Sequence, residues 1–190
     1  MNIYIGLALL YLLLINTFEN AYIFSIVFFI TMMLSDIILS VFSKIIKPSL
    51  RVAISLMITS IIITIMELLV YKYIPNFYKE MGIYLPLIML VIYDFESKRK
   101  ITDSFKFTFI KSIKYIGVIL IVSLLKEVLS TNHITLIDNL STFTGFKVIY
   151  PVLPKNNLIP ISIFSINAGS FILVGVIMAI MNKVKGGKNA

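Results

Sequence analysis

The side chains of this chain that could do chemistry are a few charged residues inside long apolar runs. Asp36 and Glu67 are each the only charge in such a run, and Lys126 and Glu127 lie at the end of another. An ionisable group in lipid is costly and usually serves an ion pathway or a structural pairing. These four residues are therefore the candidate ion-pathway or structural polar residues.

Two arrangements of these residues remain open. Lys126 and Glu127 are neighbours on one predicted helix, and Glu67 lies on another. All three are expected near the same membrane face, so they could pair across the two helices. Alternatively, all three lie close enough to the interface to extend their charged ends into water. Asp36 lies deeper, and the sequence offers it no evident cationic partner.

Several catalytic and metal-binding chemistries lack the residues they need. The 190 residues include no cysteine, which excludes disulfides, thiolate nucleophiles and cysteine-ligated zinc or iron-sulfur sites. His133 is the one histidine, and its polar neighbours indicate a solvated loop position instead of a metal ligand. We predict no catalytic residue and no metal ligand, and therefore no catalytic site in this chain alone.

The overall composition indicates an integral membrane protein. Hydrophobic residues make up 59% of the chain and the mean hydropathy is +0.99, more than a soluble domain of this size could hide from water. The net charge is +8, but most charged residues fall in three clusters between apolar runs. This pattern indicates membrane topology and argues against a nucleic-acid partner.

Six apolar segments predict an all-α membrane protein. They cover residues 3–15, 21–43, 52–71, 81–93, a fifth run ending near residue 129, and residues 161–181. The first segment is expected to be retained, because Met1 and Asn2 supply no basic region of the kind that opens a signal peptide. The segments should be helices, because a lone segment in lipid must satisfy its own backbone hydrogen bonds.

The basic residues predict the orientation of the chain. Three follow the second segment, six follow the fourth and three follow the sixth, out of 17 in total. Because basic loops stay on the cytoplasmic side, both termini are expected there.

The first and fourth segments are too short to cross a bilayer as simple helices. Each has 13 residues, or about 20 Å of helix against a hydrocarbon core of about 30 Å. They are predicted to be half-helices, which makes residues 1–190 one membrane domain of two inverted three-helix repeats, approximately 1–75 and 76–185. The alternative to half-helices is that residues flanking each short segment extend it into an ordinary membrane-spanning helix.

The connector at residues 130–160 carries three prolines and a spaced apolar pattern. Ile134, Ile137, Leu140 and Phe143 recur at intervals of three residues. This spacing predicts a short helix lying in the membrane interface.

Three stretches carry a resemblance to a known family. MGIYLPLI (81–88) resembles the family's LGIFIPLI, LLKEVL (124–129) its SLREI, and AGSFI (168–172) its PGAFI, in the same order over nearly the whole chain. The family comprises the membrane subunits RnfA and RnfE of Rnf electron-transport complexes and NqrD and NqrE of sodium-translocating quinone reductases. The basic C-terminal tail favours the RnfE/NqrD orientation over that of the inverted partner, and the resemblance implies the cytoplasmic (inner) membrane of a bacterium.

The resemblance implies a cofactor that this chain cannot ligate. In the family, the two half-helices each carry a cysteine, and two homologous subunits share a 2Fe-2S cluster. Leu10 and Ile92 stand at the cysteine positions, and neither can bind iron. We therefore expect no cofactor bound by this chain alone, and an apolar plug where the cluster would lie.

Two functions follow from these observations. The resemblance implies a membrane subunit of an Rnf/Nqr-like ion-translocating electron-transport complex, structural or ion-conducting instead of redox-active, with a homologous inverted subunit and other Rnf/Nqr-type subunits as partners. The alternative is the substrate-binding membrane component of a vitamin transporter of the ECF type, or another small membrane transporter, because such components also tend to be basic six-helix proteins of about this length.

Overall fold

The computed structural model describes residues 15, 17–42, 50–97 and 105–151, together with Ile172, Gly175, Val176 and Ala179. Apart from single positions, the predicted first and sixth segments lie outside the described residues. Within the described part, the chain is mostly helical, with one small two-stranded sheet.

Three helices are long and apolar enough to cross a membrane. They are α1 (Phe18–Phe42, 25 residues), α2 (Arg51–Tyr73, 23 residues) and α5 (Phe105–Thr131, 27 residues). At about 1.5 Å per residue, even the shortest is about 35 Å long. The prediction of helices for the second, third and fifth segments is confirmed, with boundaries that differ by a few residues.

Two buried hydroxyl side chains of α1 form hydrogen bonds within their own helix. Ser25 donates to the carbonyl of Ala21 at 2.7 Å, and Thr31 to that of Val27 at 2.8 Å. Both hydroxyls are buried. Bonds to the carbonyl four residues earlier allow such residues in a membrane-spanning helix without a second polar partner.

The fourth apolar segment is broken. Helix α3 (Pro75–Met81) leads into a 3₁₀ helix (Gly82–Leu87), which is followed by α4 (Ile88–Ser97). Pro86 lies inside the 3₁₀ helix and cannot donate a backbone hydrogen bond. The α-helical part therefore begins at Ile88 and has 10 residues, or about 15 Å, too little to span a bilayer alone.

Helix α1 is the centre of the described bundle. It packs against α5 and α2, while α2 also packs against α4 and the 3₁₀ helix. Phe28 of α1 lies 4.9 Å from Tyr115 of α5 between ring centroids, and Phe95 of α4 meets the same tyrosine edge-on at 6.4 Å. Most of α1 is buried, whereas α2 and α5 keep broad apolar faces exposed, as expected of helices that face lipid or another subunit.

The connector forms a β-hairpin, so the predicted interfacial helix is wrong. Strand β1 (His133–Ile137) pairs antiparallel with β2 (Val148–Pro151), and only the short helix α6 (Ser141–Thr144) lies between them. Asn132 has φ 58°, a left-handed conformation that ends α5. Ile134 and Ile137 therefore lie on a strand, where β-branched side chains are favoured.

Candidate functional site: buried carboxylates beneath the hairpin

Glu19 holds the turn of the hairpin. Its side chain is 1% exposed. Oε2 accepts backbone N–H bonds from Asp138 at 2.9 Å and Asn139 at 2.8 Å, and Oε1 accepts one from Leu140 at 2.7 Å. Because the donors are successive backbone amides, the carboxylate fixes the turn relative to the first residues of α1.

Glu127 makes a second attachment between the hairpin and the helices. Its Oε2 accepts the backbone N–H of Phe18 at 2.7 Å, and its Oε1 accepts the N–H of Thr135 at 2.9 Å and the hydroxyl of Thr135 at 2.5 Å. One buried side chain thus joins the end of α5 to the start of α1 and to β1. We call Glu19, Glu127 and their backbone donors the carboxylate clamp.

Lys126 is buried beside the clamp. Its side chain is 1% exposed, and Nζ donates to the backbone carbonyl of Ile15 at 3.0 Å. Ile15 is the last residue of the predicted first segment. The lysine therefore ties the end of α5 to the chain that enters α1.

Further polar side chains complete the attachment, and together with the carboxylate clamp and Lys126 we call them the polar layer. Asn20 donates to Glu80 Oε2 at 2.7 Å and accepts from the side-chain amide of Asn139 at 2.8 Å. The hydroxyl of Tyr22 donates to the carbonyl of Leu136 at 2.8 Å. Because these groups bond directly to the hairpin, the layer is suited to position it.

Asp36 lies apart from this layer, on the buried side of α1. It is 4% exposed, and the preceding residue, Ser35, is hydrogen-bonded at 2.9 Å to the hydroxyl of Thr59 on α2. Thr59 in turn donates to the carbonyl of Ser55 at 2.7 Å. The α1–α2 contact therefore contains a polar stretch at membrane depth.

Glu67 lies on the outer surface of α2. The hydroxyl of Tyr78 on α3 donates to its Oε1 at 3.3 Å, and the Tyr78 ring meets Tyr71 edge-on at 5.0 Å. The structure thus gives Glu67 a tyrosine hydroxyl as partner, whereas Lys126 donates to a backbone carbonyl.

The positions that the resemblance assigns to cluster ligands do not fit an iron-sulfur cluster. Ile92 is 2% exposed and belongs to the buried apolar cluster that contains Phe28, Phe95 and Tyr115. Its side chain has no donor atom for iron, and Leu10 lies outside the described residues. Within the described part of the chain, no group of three or more His, Cys, Asp or Glu side chains could hold a metal ion.

Sequence reasoning missed four residues of the polar layer. They are Glu19, Asn20, Glu80 and Asn139, which come from α1, α3 and the hairpin. Glu19 and Glu80 flank apolar segments, where a charge is typical of a segment boundary. The sequence held one signal: these segments have ends that are predicted to lie at the same membrane face as the connector.

Membrane-length helices around a central α1, with a broken helix and ionisable groups at membrane depth, define a polytopic α-helical membrane protein. A family model described as "Rnf-Nqr subunit, membrane protein" matches residues 3–178. The chain therefore belongs to the Rnf-Nqr subunit family of membrane proteins. This match confirms the resemblance drawn from the three short motifs and gives no support to the vitamin-transporter alternative.

Two curated relatives carry a functional name. Each is named as a subunit, designated E, of an "Ion-translocating oxidoreductase complex", and they come from strains 5A and APS of Buchnera aphidicola subsp. Acyrthosiphon pisum. Each is 27% identical over 164 residues, which cover 78% of this chain and 68% of the relative.

Proposed function

We propose that this chain is an integral membrane subunit of an ion-translocating oxidoreductase complex, with a structural or ion-pathway role and no redox role. The observation that carries the proposal is the family match over residues 3–178. The name of the two relatives supports it, and so do the three helices of membrane-spanning length. Its partners are then a homologous inverted membrane subunit and other Rnf/Nqr-type subunits.

Purification of the native complex tests this proposal. The chain carries an affinity tag, membranes are solubilised in mild detergent, and the co-purifying chains are identified by mass spectrometry. We expect other Rnf/Nqr-type membrane subunits in stoichiometric amounts. Recovery of a transporter ATPase in their place would contradict the proposal and favour the vitamin-transporter alternative.

The proposed architecture has six segments in a bacterial inner membrane, with both termini cytoplasmic. The distribution of basic residues supports the orientation. The break at Gly82–Leu87 supports half-helices and inverted repeats of approximately residues 1–75 and 76–185, because a broken helix is the element on which such repeats are built.

We also propose that the chain contributes no ligand to an iron-sulfur cluster. Leu10 and Ile92 stand at the positions that the resemblance assigns to the family's two cysteines, and the sequence contains no cysteine that could replace them. Analysis of iron and acid-labile sulfide, with low-temperature electron paramagnetic resonance of the reduced complex, tests this. A 2Fe-2S signal that disappears on mutating only this chain would overturn the proposal.

Asp36 is the proposed ion-pathway residue, whereas Lys126 and Glu127 are proposed to be structural. The support is position: Asp36 lies beside the Ser35–Thr59 contact at membrane depth, while Lys126 and Glu127 bond to backbone groups at the end of α5. Asp36→Asn should lower ion transport with the complex intact, whereas Glu127→Gln should lower the yield of folded chain. Loss of transport in Glu127→Gln at normal yield would contradict this assignment.

A further inference from the structure

The outer surface of α2 carries a row of polar side chains. Ser60, Thr64, Glu67 and Tyr71 follow one another at intervals of four, three and four residues, which places them along one side of the helix. Thr64 and Tyr71 are exposed, and Glu67 is half-buried. Lipid tails offer no partner to such groups, so polar residues on the outside of a spanning helix are expected at contacts with other helices.

The row presents hydrogen-bond acceptors. Ser60 donates its hydroxyl hydrogen to the carbonyl of Met57 at 2.8 Å, and Thr64 donates to that of Ser60 at 2.9 Å. Both hydroxyl oxygens keep lone pairs that can accept from outside. In the part of the chain that the structure describes, Glu67 accepts only the Tyr78 hydroxyl, through Oε1 at 3.3 Å. A carboxylate can accept several bonds, so most of its capacity is left for an outside donor.

A groove leads to this carboxylate. Thr64, Glu67, Leu68, Tyr71 and Tyr78 line a cavity of about 360 Å³ that opens to the outside of the bundle. Leu68 is 63% exposed at its edge. Glu67 lies six residues before the end of α2, about 9 Å along the axis, so the groove lies within the membrane-spanning length of the helix.

We propose that this groove docks a membrane-spanning helix of another subunit, which places a Lys or Arg side chain on Glu67. The proposal rests on the proposed function, because it requires the chain to be part of a membrane complex. Charge complementarity indicates which side chain occupies the groove. A carboxylate beside hydroxyl acceptors needs a cationic donor, and the guanidinium of Arg can donate to the carboxylate and to a hydroxyl at the same time. The flanking Leu68 and Ile61, both exposed, supply the apolar contact that such a helix needs.

Photocrosslinking in the native complex tests the contact. A photoreactive amino acid replaces Leu68, and a matched control replaces Leu69, which is also exposed but points about 100° further around the helix. We expect the Leu68 probe, and not the Leu69 probe, to capture a spanning segment that contains Lys or Arg from a co-purifying subunit. Lipid adducts alone, in a complex whose subunits still co-purify, would overturn the inference and leave the proposed function intact.

Charge variants test the chemistry. Glu67→Lys should lower recovery of the captured subunit by about tenfold or more, and a Lys or Arg to Glu change in that subunit should restore it. His133→Lys adds a positive charge at an exposed residue outside the groove and should leave recovery unchanged. Capture of a segment without Lys or Arg, or equal recovery with Glu67→Lys, would overturn the inference. If the tagged chain purifies alone, both this inference and the proposed function fail.

Discussion

At the scale of single residues, Gly82 shows how a backbone position controls a polar contact. A Cβ atom at this position would lie 2.6 Å from Cδ2 of Tyr78, well inside van der Waals contact. The ring that occupies this space carries the hydroxyl that bonds Glu67. The glycine is therefore required for the ring position, although its own backbone conformation is an ordinary right-handed one.

We predict that Gly82→Ala displaces the Tyr78 ring and lowers the free energy of unfolding by about 1–3 kcal/mol, the range for overpacking a well-packed site. Thermal unfolding in detergent measures the loss. Gly117→Ala is the matched control, because nothing lies within 4 Å of a Cβ placed there. That helix-interior change should be neutral or stabilising by about 0.5–1 kcal/mol. Equal stability of the two variants would show that the ring does not need the glycine.

Glu19 carries the second residue-scale prediction. Glu19→Ala removes the acceptor of three backbone N–H groups and should destabilise the fold by about 2–4 kcal/mol. Glu19→Gln should rescue little, because its NH₂ group would face one or two of those donors. Thermal unfolding and the rate of proteolysis in the hairpin measure both changes.

Lys147→Ala provides the comparison for Glu19. It breaks an exposed ion pair with Asp138 in the same hairpin, where the two side chains are 65% and 42% exposed and 2.6 Å apart. Exposed pairs contribute little to stability, so this variant should unfold and be cleaved like the parent. If the Glu19 variants behaved in the same way, the clamp would not hold the hairpin.

At the scale of elements, the α1–α2 pair is joined by a hydroxyl contact as well as by apolar packing. Ser35 and Thr59 are both buried and lie 2.9 Å apart between Oγ and Oγ1. Hydrogen bonds between spanning helices contribute modestly, about 0.6 kcal/mol on average.

A double-mutant cycle measures that contact. Ser35→Ala and Thr59→Val should together cost less than the sum of the single changes, with a coupling of about 0.6 kcal/mol. Ser25→Ala serves as the control partner, since Ser25 bonds within its own helix. Its effect should add to that of Thr59→Val, and a coupling of the same size there would contradict the assignment of the energy to the Ser35–Thr59 bond.

At the scale of the whole molecule, the proposed topology places the two ends of α5 on opposite membrane faces. Lys106 and His133 are both exposed near these ends, and the sequence has no native cysteine to interfere with labelling. We predict that Lys106→Cys reacts with a membrane-impermeant thiol reagent from the cytoplasmic side and His133→Cys from the other. Reaction of both from one face of sealed membranes would refute the proposed topology.

Much of the helical architecture could be predicted from composition alone. Each spanning segment has to be apolar along its whole length and to satisfy its own backbone, so α1, α2 and α5 are visible in local hydropathy. The connector was harder, because its apolar spacing suits a helix while its β-branched residues suit a strand. Pairing of β1 with β2 decided between them.

The sequence by itself determined the membrane class, the family, the acids isolated within apolar runs and the lack of any thiolate. All of these depend on residue types or on short local patterns. The tertiary structure decided which partner each charge takes, because those partners are far apart along the chain: Glu19 accepts from an amide 121 positions away, and Glu127 from one 109 positions away. Local periodicity does not indicate which helix ends meet in the fold. A buried carboxylate is stabilised only by the donors that the assembled fold brings to it.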